Sequence, residues 1–117
     1  MAVGIAAIVS LSAGCTGERV SAEGTWGTGS EGKPQLVLDA GGALSGTDGC
    51  NRLFGTWEQS DDQTVSFGDL GSTLMACPDV DTWLAGLSSG VLDGGIMHIQ
   101  DSAGTEIGNL ARVPHPE

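Results

Sequence analysis

The chain has 117 residues, with 15 acidic and 4 basic side chains, a formal net charge of -11 and 20 glycines. This length suits one domain and excludes large catalytic folds such as a barrel of eight strand–helix units. Four cations are too few to neutralise a phosphate backbone, so no nucleic acid partner is expected.

The start of the chain is predicted to be a targeting signal. Residues 1–13 form an uncharged apolar run, which is shorter than the about 20 residues of a transmembrane helix but suits a secretory signal. The small residues at 12–14 precede Cys15 and resemble a bacterial lipobox, a motif that implies cleavage before the cysteine and a diacylglyceryl group on its thiol. An ordinary secretory signal and a buried strand are the alternatives. We therefore expect residues 1–14 to be a lipoprotein-type signal peptide and Cys15 to be lipidated.

The remaining chain is predicted to hold one folded domain at residues 25–113, between a polar tether at 15–24 and a tail at 114–117. Short runs of apolar residues are separated by turn residues, and in one of them Val65 and Phe67 alternate with polar neighbours, as in a half-buried strand. The first predicted strand opens at Trp26. The others cover residues 35–38, 43–47, 54–59, 63–67, 96–100 and 105–112.

The pattern changes after Cys77, where apolar residues recur at helical spacing. Pro78 and nearby aspartates suit the first turn of a helix. The apolar stripe of this predicted amphipathic helix consists of Val80, Trp83, Leu84, Leu87 and Val91. The expected fold is mainly β, of the α+β class: a compact antiparallel sheet or partial barrel of about seven strands, with one amphipathic helix covering an opening or face.

Two short blocks carry a family resemblance. Residues 46–55 read GTDGCNRLFG and look like the G-x-x-GCN-x-x-x-G signature of the META domain (HslJ-like) family, and residues 72–77 read STLMAC, similar to that family's threonine followed by M-A-C. An opening GTW at 24–26 and a closing hairpin also fit, so the resemblance covers roughly residues 24–113. The motif positions to which it assigns structural roles are Gly49, Cys50, Asn51, Gly55, Thr73, Met75, Ala76 and Cys77.

The resemblance implies a disulfide bond between Cys50 and Cys77. The cysteine count agrees, because three cysteines in an exported protein can divide into one acylated residue and one bridge. Two buried free cysteines are the alternative. Closing a loop of about 28 residues stabilises a fold by roughly 3–4 kcal/mol in the chain-entropy account.

The two residues after Cys50 are candidates for a binding role. Asn51 lies close to Gly49, which favours a side chain that hydrogen-bonds to backbone at a tight bend. Arg52 is expected to pair with one of the many carboxylates. A ligand-binding role for Asn51 and Arg52 is the less favoured alternative.

Two motifs typical of enzymes lack their usual context. Residues 86–90 match G-x-S-x-G, but Ser88 is expected near the end of the predicted helix instead of on a strand-to-helix turn. Residues 27–32 match G-x-G-x-x-G but precede a strand. His98 and His115 have no metal-ligand spacing. We expect no catalytic residue, cofactor or metal.

These features predict an exported META-domain protein of the cell envelope, lipid-anchored on the outer face of the cell membrane or otherwise secreted. It is expected to be non-enzymatic and monomeric, to contact the membrane through a lipid on Cys15 and to bind an envelope protein. The family resemblance implies a link to envelope stress or antibiotic tolerance. The alternative is a small-ligand-binding envelope protein with a cavity lined by Trp57, Phe67 and Trp83.

Overall fold

The structure, a computed structural model, describes residues 21–114. They contain eight strands and one 3₁₀ helix, Trp83–Gly86. The strands are β1 (Gly24–Trp26), β2 (Gln35–Leu38), β3 (Ala43–Thr47), β4 (Arg52–Gln59), β5 (Thr64–Ser72), β6 (Ser89–Asp93), β7 (Ile96–Gln100) and β8 (Glu106–Val113).

The strands form a closed antiparallel barrel. Each strand pairs with the next along the chain, and β1 also pairs with β8 through Thr25 opposite Val113 and Trp26 opposite Arg112. Closure gives the sheet no free outer strand, which limits edge-to-edge association. The predicted antiparallel, mainly β fold is confirmed, with eight strands.

Alternation of side chains explains why these segments are strands. In β2, Leu36 and Leu38 are buried while the residues between them are partly exposed, and in β7 Met97 and Ile99 are buried in the same way. This period of two places every second side chain inside the barrel. The turn predicted between β2 and β3 is present, and Asp39 Oδ1 accepts hydrogen bonds from the backbone nitrogens of Gly41 and Ala43, both at 2.9 Å.

The barrel interior is a single apolar core that also takes in residues before β1. Ala22 is fully buried and its carbonyl accepts a hydrogen bond of 2.9 Å from Trp26 Nε1, so the core reaches into the segment predicted to be a tether. The Arg112 guanidinium covers the Trp26 ring at 4.3 Å from its centroid. The core residues are Ala22, Trp26, Leu36, Leu38, Leu44, Leu53, Val65, Phe67, Leu84, Leu87, Leu92, Met97, Ile99 and Leu110.

The predicted amphipathic helix is absent. Between β5 and β6 only Trp83–Gly86 is helical, as a 3₁₀ turn, and Val91 lies in β6. Two residues of the predicted stripe, Leu84 and Leu87, are nevertheless buried. Val91 is only partly buried, so the helical spacing does not correspond to one continuous buried face.

The glycines of this segment explain why it forms a 3₁₀ turn and a strand instead of a helix. Gly86 and Gly90 would both lie inside it, and a glycine costs a helix about 1 kcal/mol relative to alanine. As part of β6, Leu92 instead pairs with Met97 across the hairpin and both side chains enter the core. The segment thus gains a ladder of hydrogen bonds as well as apolar burial.

Candidate functional site

The two motif blocks lie against each other beside the start of β4. Cys50 and Cys77 form a disulfide bond, with their Cα atoms 5.9 Å apart and a sequence separation of 27. The bond that the resemblance implied is present, and it fixes the chain after β5 to the bend before β4.

The Asn51 side chain provides the second link between the blocks. Its Oδ1 accepts hydrogen bonds from Met75 N and from Thr73 Oγ1, the latter at 2.9 Å, and its Nδ2 donates to Met75 O at 3.2 Å. Thr73 Oγ1 also accepts a hydrogen bond from Arg52 N at 3.0 Å. Asn51 does bond to backbone, as predicted, but to the backbone of the second block.

The bend before β4 is held by Asp48, which the sequence analysis did not single out. Asp48 is 2% exposed, and its Oδ1 accepts hydrogen bonds from Cys50 N at 2.8 Å and Asn51 N at 2.6 Å. Its own amide donates to Asn51 O at 3.1 Å. The signal that could have found it is an aspartate directly before a glycine, because a short acidic side chain often bonds to backbone two or three residues ahead.

Two motif glycines are explained by close contacts. Gly49 has a φ of +99°, and a Cβ there would lie 2.8 Å from Gly32 O. At Gly55 a Cβ would lie 2.6 Å from Gly68 O, where the pairing of β4 with β5 is irregular. Both positions require glycine because neighbouring backbone occupies the space of a side chain.

The second block presents apolar side chains to solvent. Among residues 21–114, five large apolar residues are exposed, and the two most exposed are Leu74, at 93%, and Met75, at 60%. Phe54 packs across the ladder on Gly71, and Leu70 lines one shallow depression together with Leu74. We call Phe54, Leu70, Leu74 and Met75 the apolar face; the fifth exposed residue, Val113, lies on β8.

Arg52 is not paired as predicted. Its guanidinium forms no ion pair with any residue between 21 and 114, and its side chain lines an open groove of about 540 Å³ together with Thr73 and Met75. The prediction failed because Arg52 points from the outer surface of β4, where no carboxylate of the described chain comes within 4.0 Å.

The cavity predicted between Trp57, Phe67 and Trp83 does not form. Trp57 and Phe67 line a shallow opening of about 340 Å³, whereas Trp83 packs over Gly108 in a different part of the barrel. Because residues 21–114 lack the predicted helix, no helical layer of this part of the chain brings the three rings together, and they are distributed around the wall of the barrel.

The residues considered for catalysis or metal binding also do not form a common site in the described chain. Ser88 lies in extended chain directly before β6, where its amide donates to Gln100 O at 2.8 Å, and it is not on a strand-to-helix turn. His98 Nδ1 lies 2.9 Å from Glu106 Oε2, and this hydrogen bond is the main reason why the pKa of His98 is raised above 6.5. Within the described chain, no three His, Cys, Asp or Glu residues are grouped so as to hold a metal ion. Cys15 and His115 lie outside the described residues.

Residues 21–114 contain no helix whose length and hydropathy would allow it to cross a membrane. No curated protein and no solved structure is similar enough to the chain to be matched to it. The model of the META domain family matches residues 11–105, which include both motif blocks. This chain therefore belongs to the META domain family.

Proposed function

We propose that this META-domain protein is exported to the cell envelope, is anchored there by a lipid on Cys15, and acts by binding another envelope protein instead of by catalysis. The apolar face is the observation that carries the proposal. Its Leu74 and Met75 side chains are largely exposed, and large exposed apolar residues that lie together are typical of interaction surfaces.

The segment that carries Leu74 and Met75 is held in place before any protein binds. Before the exposed side chains, Thr73 N donates a hydrogen bond to Arg52 O at 3.1 Å. Asn51 bonds to the Met75 backbone, and the disulfide bond of Cys77 holds the chain after it. A surface that is already ordered loses less conformational entropy on binding, which favours affinity. The motif blocks would thus serve to present the apolar face.

Arg52 lies beside Met75, but the charged residues that flank Leu70 and the second block in sequence are acidic, and they indicate the chemistry of the bound protein. Asp69 directly precedes Leu70, and Asp79 and Asp81 follow the second block, all three exposed. The whole chain carries a net charge of -11. We therefore propose that the bound protein is an exported protein whose apolar patch is surrounded by Lys and Arg. Opposite charges speed the encounter of the two proteins and disfavour acidic competitors.

Photo-crosslinking in intact cells tests this function. A photoreactive residue at position 74 should capture one predominant envelope protein, and the same residue at Ser102, in the exposed β7–β8 turn, should not. In protein labelled at position 74, Met75→Asp should abolish capture. Equal capture from both positions, or capture that survives Met75→Asp, would overturn the apolar face as the binding surface.

The anchor is tested separately. Cells grown with a palmitate analogue should label the wild-type protein and leave Cys15→Ala unlabelled, because the proposed diacylglyceryl group needs the Cys15 thiol. Equal labelling of the two proteins would show that Cys15 carries no lipid.

A small-ligand-binding envelope protein is the second candidate function. It no longer depends on a cavity shared by Trp57, Phe67 and Trp83, because Trp83 lines a separate cleft beside β8.

A further inference from the structure

The cleft that Trp83 lines opens where β1 ends beside the longer β8. β1 ends at Trp26, and the last contact of this seam is a 2.8 Å hydrogen bond from Gly27 N to Ala111 O. The part of β8 before Ala111 has no β1 residue opposite it. The resulting cleft has a volume of about 560 Å³ and is lined in part by Lys33, Pro34, Trp83, Leu110, Arg112 and Val113.

Most of the cleft wall is apolar. The Trp83 ring is packed so closely on Gly108 that a Cβ there would lie 2.5 Å from it, which fixes the ring. Leu110 is a core residue, and Val113 is the exposed apolar residue that does not belong to the apolar face. An apolar wall with an aromatic ring and a few polar groups is typical of a small-molecule site.

The polar side chains that line the cleft are two cations and the uncharged Thr28 and Asn109. Residues 21–114 contain three basic side chains, and two of them, Lys33 and Arg112, line this cleft. Arg112 is held by hydrogen bonds to the carbonyls of Ser21 and Glu23 and by the Trp26 ring. Neither cation forms an ion pair with a described residue, although 13 of the chain's 15 Asp and Glu residues lie in this range.

We propose that this cleft binds a single-chain amphipathic carboxylate, such as a medium-chain fatty acid. Its apolar chain would lie against Trp83, Leu110 and Val113, and its carboxylate would be neutralised by Lys33, with Arg112 adding positive potential. The cleft is formed by residues outside the apolar face, so this binding is independent of the proposed protein contact.

Laurate, used below the concentration at which it forms micelles, tests the site by titration calorimetry on the purified protein. Laurate should bind with one site per chain, and dodecanol and dodecyltrimethylammonium should bind at least about tenfold more weakly because they lack the negative charge. Amide shifts in ¹⁵N NMR spectra should concentrate at residues around Gly108 and Val113.

Charge-reversal variants distinguish binding in the cleft from a general attraction of anions to the protein. Lys33 is exposed in a loop, so Lys33→Glu should fold normally and weaken laurate binding about tenfold or more. Arg52→Glu changes the charge by the same amount outside the cleft and should leave the affinity unchanged. The proposal is overturned if laurate does not bind, if dodecanol binds equally well, or if the two variants weaken binding equally.

Discussion

Asn51 carries the contacts between the two motif blocks, so its side chain can be tested alone. Asn51→Ala removes the hydrogen bonds to Met75 N, Met75 O and Thr73 Oγ1, and it should lower the free energy of unfolding by about 1–3 kcal/mol. Urea denaturation measures this loss. Asn109→Ala, an exposed asparagine on β8, is the control and should change stability by less than about 0.5 kcal/mol. Similar losses for both variants would contradict a linking role for Asn51.

His98 makes stability depend on pH. The hydrogen bond to Glu106 is the largest effect and raises its pKa above 6.5; desolvation opposes it, and the charges of Glu106 and Asp93 add to the rise. A raised folded-state pKa means that the stabilisation is fully present below about pH 6.5 and is lost as the pH rises through the folded-state value. The stability difference between wild type and His98→Gln should therefore shrink as the pH rises above about 6.5.

An NMR titration of the His98 ring checks the cause of its raised pKa. Glu106→Gln should return the pKa of His98 towards 6.5, while Asp93→Asn should have the smaller effect, because Asp93 lies 3.8 Å from His98 Nε2 and is more exposed. A pKa of His98 that Glu106→Gln leaves unchanged would rule out this hydrogen bond as its source.

At the scale of elements, the alternation of apolar and polar residues was sufficient to predict the hairpins. It was not sufficient to predict the structure of the segment after the second motif block. The bounds of β2, β3 and β7 were predicted correctly, because apolar alternation and turn residues are both read locally. The segment from Val80 to Val91 satisfied a helical period although its apolar residues are divided among loop, a 3₁₀ turn and β6. Packing against the barrel decided between a helix and the observed turn and strand, and that packing is non-local.

The close approach of β2 and β3 can be tested through a glycine in the first motif block. A Cβ at Gly46 would overlap the Gln35 carbonyl oxygen, which is backbone and cannot rotate away. Gly46→Ala should therefore cost more than about 2 kcal/mol of stability, or prevent folding. Gly95→Ala, in the β6–β7 turn with no atom within 4 Å of the added Cβ, should be close to neutral. Thermal unfolding followed by circular dichroism compares the pair, and equal stability would contradict this contact.

At the scale of the whole molecule, barrel closure creates the sites that the sequence could not reveal. The family resemblance correctly paired Cys50 with Cys77, and the motif spacing drew attention to Asn51. Lys33 and Arg112 are far apart in sequence and share a cleft only because β8 pairs with β1. Exposure of Leu74 and Met75 was also not predictable, because burial of an apolar pair in a loop depends on non-local packing.

The net charge leads to the last prediction. Fifteen carboxylates and four cations leave at least eleven negative charges without a positive one, and these charges repel each other across a barrel of this size. Raising the NaCl concentration from about 0.01 to about 0.5 M shortens the Debye length from about 30 Å to below 8 Å, so the melting temperature should rise by several degrees. Sodium sulfate at equal ionic strength separates screening from salting-out, because screening gives the same rise with both salts. An unchanged or lower melting temperature in NaCl would mean that the negative charges are spaced too widely on the barrel to oppose folding.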